Sequence, residues 1–124
     1  MHSILIVDDN QDILDSLKLF LTRANYKVLT ATNGEAALTI CQARLPDLIV
    51  SDVNMPVMDG HDFVKQVRRI KGGSHLPIVF LSARTAAHHI KEGYTSGVDN
   101  YICKPITRKD RPVVLAMLEQ LIAK

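Results

Sequence analysis

The chain has no tryptophan, and its other aromatic residues are three tyrosines and three phenylalanines. A stacking surface for single-stranded nucleic acid needs more rings than this. The net charge of +2 is spread along the chain with no Lys/Arg block, so direct nucleic-acid binding is not expected. Cysteine is equally scarce. Cys41 and Cys103 lie far apart without C-x-x-C spacing, which excludes a disulfide framework or a zinc knuckle and reads as two small buried apolar residues with reduced thiols. No apolar run approaches membrane-spanning length, and the start Met1-His2-Ser3-Ile4 has no basic segment, so a soluble, cytoplasmic protein without membrane contact is expected. No G-x-x-x-x-G-K-[ST] occurs, which removes a P-loop nucleotidase. Repeats, linkers and low-complexity stretches are also missing. With 124 residues, 47% of them apolar, the chain reads as a single domain over 1–124.

What the sequence does contain is a series of short apolar runs near residues 4–7, 26–31, 47–52, 77–81 and 98–103, each followed by a helix-length segment. Five such alternations predict a doubly wound parallel α/β sheet with helices on both faces. In the first helical segment Ile13, Leu14, Leu17, Phe20 and Leu21 recur at three- and four-residue intervals, opposite Gln11, Asp12, Asp15 and Lys18. Asn33 caps the second helix, with Glu35 in its first turn, and Pro46 closes it. Gly60 opens the third, which carries Phe63, Val64 and Val67 inward and ends at Gly72-Gly73. A fourth helix over about 85–96 has few large apolar residues and is therefore weakly anchored. In the last helix, Thr107 as cap would set Pro112 inside the ladder, whereas Asp110 as cap sets it in the first turn, so a start at 110 or 111 is predicted.

The ends of the runs carry the chemistry. Ile4-Leu5-Ile6-Val7 ends at Asp8-Asp9, Leu48-Ile49-Val50 leads to Asp52, Ile78-Val79-Phe80-Leu81 ends at Ser82, and Tyr101-Ile102-Cys103 ends at Lys104-Pro105. In open α/β sheets the ligand crevice lies at the carboxyl ends of the strands. Three carboxylates and one ammonium there leave two negative charges uncompensated, and clustered carboxylates raise one another's pKa. A divalent cation with oxygen ligands, Mg²⁺ or in its place Mn²⁺, removes the conflict. One carboxylate beside the metal and a lysine is then suited to attack phosphorus.

Val7-Asp8-Asp9-Asn10, Asp52-Val53-Asn54-Met55-Pro56-Val57-Met58-Asp59-Gly60, Leu81-Ser82-Ala83-Arg84 and Gly97-Val98-Asp99-Asn100-Tyr101-Ile102-Cys103-Lys104-Pro105 together resemble the receiver domain of two-component response regulators. The resemblance runs from the first strand to the last helix. It implies a flavodoxin-like (βα)5 fold with strand order 2-1-3-4-5, a fold for which the chemotaxis receiver is a standard example. It also implies that Asp52 is the phosphoacceptor, Asp9 a direct Mg²⁺ ligand, Asp8 a ligand largely through water, and the Asn54 main-chain carbonyl a further ligand. Ser82 and Lys104 match the family's hydroxyl and lysine, Ser82 and Tyr101 its switch pair, and Lys104-Pro105 its cis bond. The partners implied are a histidine kinase or histidine phosphotransfer protein, and a downstream protein or output domain on the face of the fourth helix, fifth strand and fifth helix. A weak phosphorylation-dependent homodimer belongs to the same expectation. The chain is expected to be no enzyme, but an acceptor that assists its own phosphorylation and dephosphorylation. Departures from the family pattern are Ser82 where threonine is commoner, Ile106 where phenylalanine is frequent, and Pro112.

Singly, each feature has a plainer reading: Asp8-Asp9 as a polar strand end, Asp52 as a turn cap, Lys104 as a solvated charge, Tyr101 as a half-buried strand aromatic. Those readings do not explain four coincident strand ends. A haloacid-dehalogenase type phosphatase needs a second Asp two residues after the first, where this chain has Asn54, and a cap domain for which it has no room. A flavodoxin needs a phosphate cradle after the first strand, where Asp8-Asp9-Asn10 would repel one. His61 and the adjacent His88-His89 read as surface residues rather than a zinc site, and Met55 and Met58 as packing.

Overall fold

The computed structural model describes residues 1–83 and 97–123, with Ala83 described by its backbone alone. Five strands, β1 (Ser3–Val7), β2 (Lys27–Ala31), β3 (Leu48–Asp52), β4 (Ile78–Ala83) and β5 (Asn100–Lys104), form one sheet in the order β2-β1-β3-β4-β5. All four pairings are parallel. Between them run α1 (Gln11–Arg23), α2 (Gly34–Ala43) and α3 (Gly60–Arg69), and a C-terminal helix (Arg111–Ala123) follows β5. The expected fourth helix, Arg84 and His88-His89 lie outside the described residues. Among the described residues no helix is long and apolar enough to cross a membrane.

Alternation along the strands splits the core in two. Leu5, Val7, Ile49, Ile78 and Phe80 face α2 and α3 through Ala37, Cys41, Phe63, Val64 and Val67. Ile4, Ile6, Leu48, Val50, Val79, Leu81 and Ile102 face α1 and the C-terminal helix through Leu14, Leu17, Leu21, Val114, Leu118 and Leu121. Because β1, β3 and β4 are covered on both sides, they read as unbroken apolar runs.

The helix starts are chemically capped. Asn10 accepts from the Asp12 and Ile13 amides at the start of α1, Asn33 from Ala36 at α2, and Asp59 from Asp62 at α3. The C-terminal helix begins at Arg111, so Pro112 falls in its first turn as predicted. The Asp110 carboxylate reaches back to the Thr107 amide at 2.9 Å and hydroxyl at 2.8 Å. α2 ends at Ala43, three residues before Pro46, and α3 ends at Arg69, before a short 3-10 turn over Gly73–His75.

Two single-residue expectations need correction. Cys41 is buried, but Cys103 is exposed, because β5 is an edge strand and its alternation turns Ile102 inward instead. His61 is half-buried rather than a surface residue, its ring edge-on to Phe80 at 5.3 Å. Met55 is buried and Met58 packs against the same cluster, as expected of packing residues.

Candidate functional site

The parallel register brings the four strand ends to one edge of the sheet. Val7 of β1 pairs with Ser51 of β3, Asp52 with Leu81 of β4, and Ser82 and Ala83 with Cys103 and Lys104 of β5. Asp8, Asp9 and Asp52 thereby form one acidic group, with a carboxylate oxygen from each lying within 4.8 Å of the others. Asp8 is fully buried, Asp52 nearly so, and Asp9 exposed. Lys104 reaches in from β5, its Nζ 3.2 Å from Asp52 Oδ1 and 3.5 Å from Asp8 Oδ2. The peptide bond from Lys104 to Pro105 is cis. Ser82 is buried at the end of β4, and Tyr101, half-buried on β5, stands edge-on to Phe80 at 5.9 Å.

Local backbone chemistry holds the acids in place. The Asp8 amide donates to Ala31 O at 3.1 Å, tying the end of β1 to β2, and Asp8 Oδ1 accepts from the Asn10 amide at 2.9 Å. Asp52 is steadied by the Asn54 amide. Burial pushes the Asp52 carboxyl above its ordinary value, against the opposing pull of Lys104 and of the Asn54 amide. Burial likewise raises Asp8, opposed by the Asn10 amide, with the neighbouring Asp52 charge adding to the rise and Lys104 opposing it. Both acids are therefore held where their ionised forms are under-compensated. Among the described residues, three carboxylates against one ammonium form an all-oxygen donor set with unmet negative charge, which fits a small hard divalent cation.

Three contributors were not foreseen from the sequence. Gly60 was legible as a helix opener, but its decisive role is contact: a Cβ there would lie 2.6 Å from Asp52 O and 2.9 Å from Val53 Cα. Its amide donates to Val53 O at 2.7 Å, so α3 starts directly on the backbone that carries Asp52. Asn10, quoted only within a motif, both caps α1 and steadies Asp8; its place before an amphipathic helix was a usable signal. Val57 is 77% exposed and adopts φ 72°, with the Met58 amide donating to Pro56 O at 2.8 Å across it. Nothing about a valine announces a left-handed position.

This sheet, with its acids and lysine gathered at the carboxyl edge, has close counterparts among known proteins. Residues 4–119 match the response regulator receiver domain, and the chain belongs to that family. The transcriptional regulatory protein AfsQ1 of Streptomyces coelicolor is 39% identical over 86% of this chain and 46% of its own length. The chain spans about half the length of the curated relatives it matches. The structure of the Vibrio cholerae chemotaxis protein CheY4 is 36% identical, with a TM-score of 0.89 over 98% of each chain. The receiver domain of sensor histidine kinase PA1611 from Pseudomonas aeruginosa, solved with a magnesium ion in its active site cleft, shares the fold with a TM-score of 0.89 at 24% identity, over 99% of this chain and 98% of that one. The chain is thus a receiver domain of the two-component response regulator class, a class whose members interact with histidine kinases.

Proposed function

We propose that Asp52 accepts a phosphoryl group from the phosphohistidine of a histidine kinase or histidine phosphotransfer protein, and that residues 1–124 act as one receiver unit in the cytoplasm. An Asp52 carboxylate oxygen attacks phosphorus in line, the P–N bond to the donor imidazole breaks, and the electron pair leaves with the ring nitrogen, which takes up a proton. The observation that carries this reading is the position of Asp52: nearly buried at a strand end, 3.2 Å from the Lys104 ammonium and grouped with two further carboxylates. A Mg²⁺ ion, or Mn²⁺ in its place, held by Asp8, Asp9, Asp52 and the Asn54 main-chain carbonyl, would supply positive charge to the phosphoryl oxygens. Lys104 is placed to pair with an oxygen of the same group, and the Ser82 hydroxyl to donate to another. No external substrate is turned over, so the chain is an acceptor that assists its own phosphorylation and dephosphorylation rather than an enzyme.

Phosphorylation replaces one carboxylate charge by about −1.5 to −2 and adds acceptor oxygens. Drawing Ser82 toward them vacates space that Tyr101 rotates inward to fill, and the change leaves through the face of β5, the C-terminal helix and the segment 85–96, where a downstream protein or output domain docks. Intact mass after exposure to phosphoramidate with Mg²⁺ tests the acceptor. One adduct of about 80 Da, a single phosphoryl group, is expected in the parent chain and none in Asp52→Asn. Undiminished labelling in Asp52→Asn, mapped to another residue, contradicts the assignment. For the switch, NMR shift changes with beryllofluoride should concentrate over 82–106 and shrink there in Ser82→Ala.

A further inference from the structure

On the reading that phosphorylation of Asp52 moves Tyr101, we propose that His61 is a positioning residue of the switch. It acts on Tyr101 through the Phe80 ring and opens a second route from Asp52 to Tyr101 that bypasses Ser82. Among the described residues, Phe80 is met edge-on by two rings from two different elements. His61, the second residue of α3, stands 5.3 Å from it at 80°, and Tyr101 of β5 stands 5.9 Å from it at 65°. Phe80 itself is fully buried on β4, in register with Ser51 of β3 and Tyr101 of β5. It lies two residues before Ser82, and alternation sets the two on the same face of the strand. The ring that touches Tyr101 is thus packed on the face from which the Ser82 hydroxyl acts.

The other end of the route is backbone. α3 opens at Gly60, whose amide donates to Val53 O at 2.7 Å and whose missing side chain leaves room for Asp52 O. A shift of the main chain at Asp52 and Val53 therefore reaches His61 within one residue of α3. From there the edge-on contacts carry it, because a fully buried ring such as Phe80 is close-packed and cannot yield on one side alone. Anchoring of α3 does not explain the His61 contact. Phe63, Val64 and Val67 are each fully buried and hold the helix on the sheet, whereas His61 is half-buried. An edge-on pair also constrains the orientation of both rings and not only their distance, which an aliphatic side chain of similar size would not do. On a helix already held, a ring against a buried ring is available to position it.

Three-bond couplings that report the χ1 rotamers of Tyr101 test the route, with and without saturating beryllofluoride and Mg²⁺. The chains compared are the parent, His61→Ala, His61→Phe, Ser82→Ala and the double variant His61→Ala/Ser82→Ala. Amide shifts at Asp8, Asp9 and Val53 show that each folds and holds the mimic. The mimic-driven change in the Tyr101 rotamer ratio should fall by a factor of about 2–10 in His61→Ala, the span that one edge-on ring pair allows. It should return in His61→Phe, which restores the ring. His61→Leu, apolar but without a ring, should behave as His61→Ala does. Ser82→Ala should keep part of the change and the double variant none, because a route is established by such coupling and not by proximity. If Tyr101 of the parent ignores the bound mimic, the switch reading itself fails and this route with it. If the parent responds, three results overturn the role of His61 alone: a full response in His61→Ala, a loss that His61→Phe does not restore, or a Ser82→Ala chain in which Tyr101 no longer responds.

Discussion

The two edges of the sheet are both lined with charge, but they treat it in opposite ways. At the amino edge Arg68, Asp99 and Asp47 are each matched. Arg68 of α3 donates to Gly73 O at 2.9 Å, to Leu76 O and to Gly97 O at 2.7 Å, and lies 3.6 Å from Asp99. Asp99 in turn accepts from the Ile78 amide at 2.8 Å, and Asp47 from the Ser3 amide at 2.7 Å. Those hydrogen bonds from Ser3 hold the Asp47 carboxyl below its ordinary value. At the carboxyl edge, among the described residues, three acids gather around one lysine, and burial drives Asp8 and Asp52 upward. One edge uses its charges to hold the strands together. The other keeps negative charge in surplus, at a cost to stability, which suits a divalent cation.

The largest effect that would break this contrast comes from the amino edge. Arg68→Ala leaves three backbone carbonyls without their donor and should cost about 3 kcal/mol in urea unfolding. Arg68→Lys should recover only part of it, because one ammonium cannot span the same fork of acceptors. Gly60→Ala comes next. Its Cβ meets backbone atoms that cannot swing aside, so a loss of about 2 kcal/mol is expected. The acceptor backbone must shift with it, and phosphoramidate labelling of Asp52 should slow. At the carboxyl edge the sign reverses. Asp52→Asn removes a buried, poorly compensated charge and should stabilise the metal-free chain by about 0.5–1 kcal/mol, read as a higher urea midpoint at unchanged slope.

The smallest effect is in pH dependence at the amino edge. A carboxyl whose folded pKa is depressed contributes stability that is present above its unfolded pKa and is lost as the pH falls through the folded one. For Asp47, lowered from 3.8, the loss sets in as the pH drops below about 4. Its side chain is 48% exposed, so solvent screening keeps the effect small. Unfolding curves at successive pH values should show a shallower acid limb in Asp47→Asn than in the parent.

The carboxyl edge was largely legible in the sequence because each of its groups follows directly after an apolar run, and a run that stops marks where a buried strand stops. Both faces of the core and the convergence of Asp8, Asp52, Ser82 and Lys104 follow from that, while the strand order came from the family resemblance. The amino edge was not legible. Arg68 finds its acceptors on main-chain carbonyls, one of them 29 residues away, and a carbonyl carries no side-chain signature. Cys103 and His61 failed for a related reason: burial on an edge strand or at a helix start depends on which way one residue turns. Val57 and Gly60 depend on backbone angle and approach, which composition does not report.

The most direct test of surplus charge as the carboxyl edge's working feature is thermal unfolding with Mg²⁺ against a monovalent salt matched in ionic strength. An ion bound only by the folded arrangement at ten times its dissociation constant adds about 1.4 kcal/mol, or roughly 3–6 °C in a chain of this size. The account predicts that rise in the parent chain and in Asp47→Asn, whose amino edge is altered, and its loss in Asp9→Ala. Equal midpoints with and without Mg²⁺ in the parent, or an Asp9→Ala chain that responds as the parent does, would contradict it.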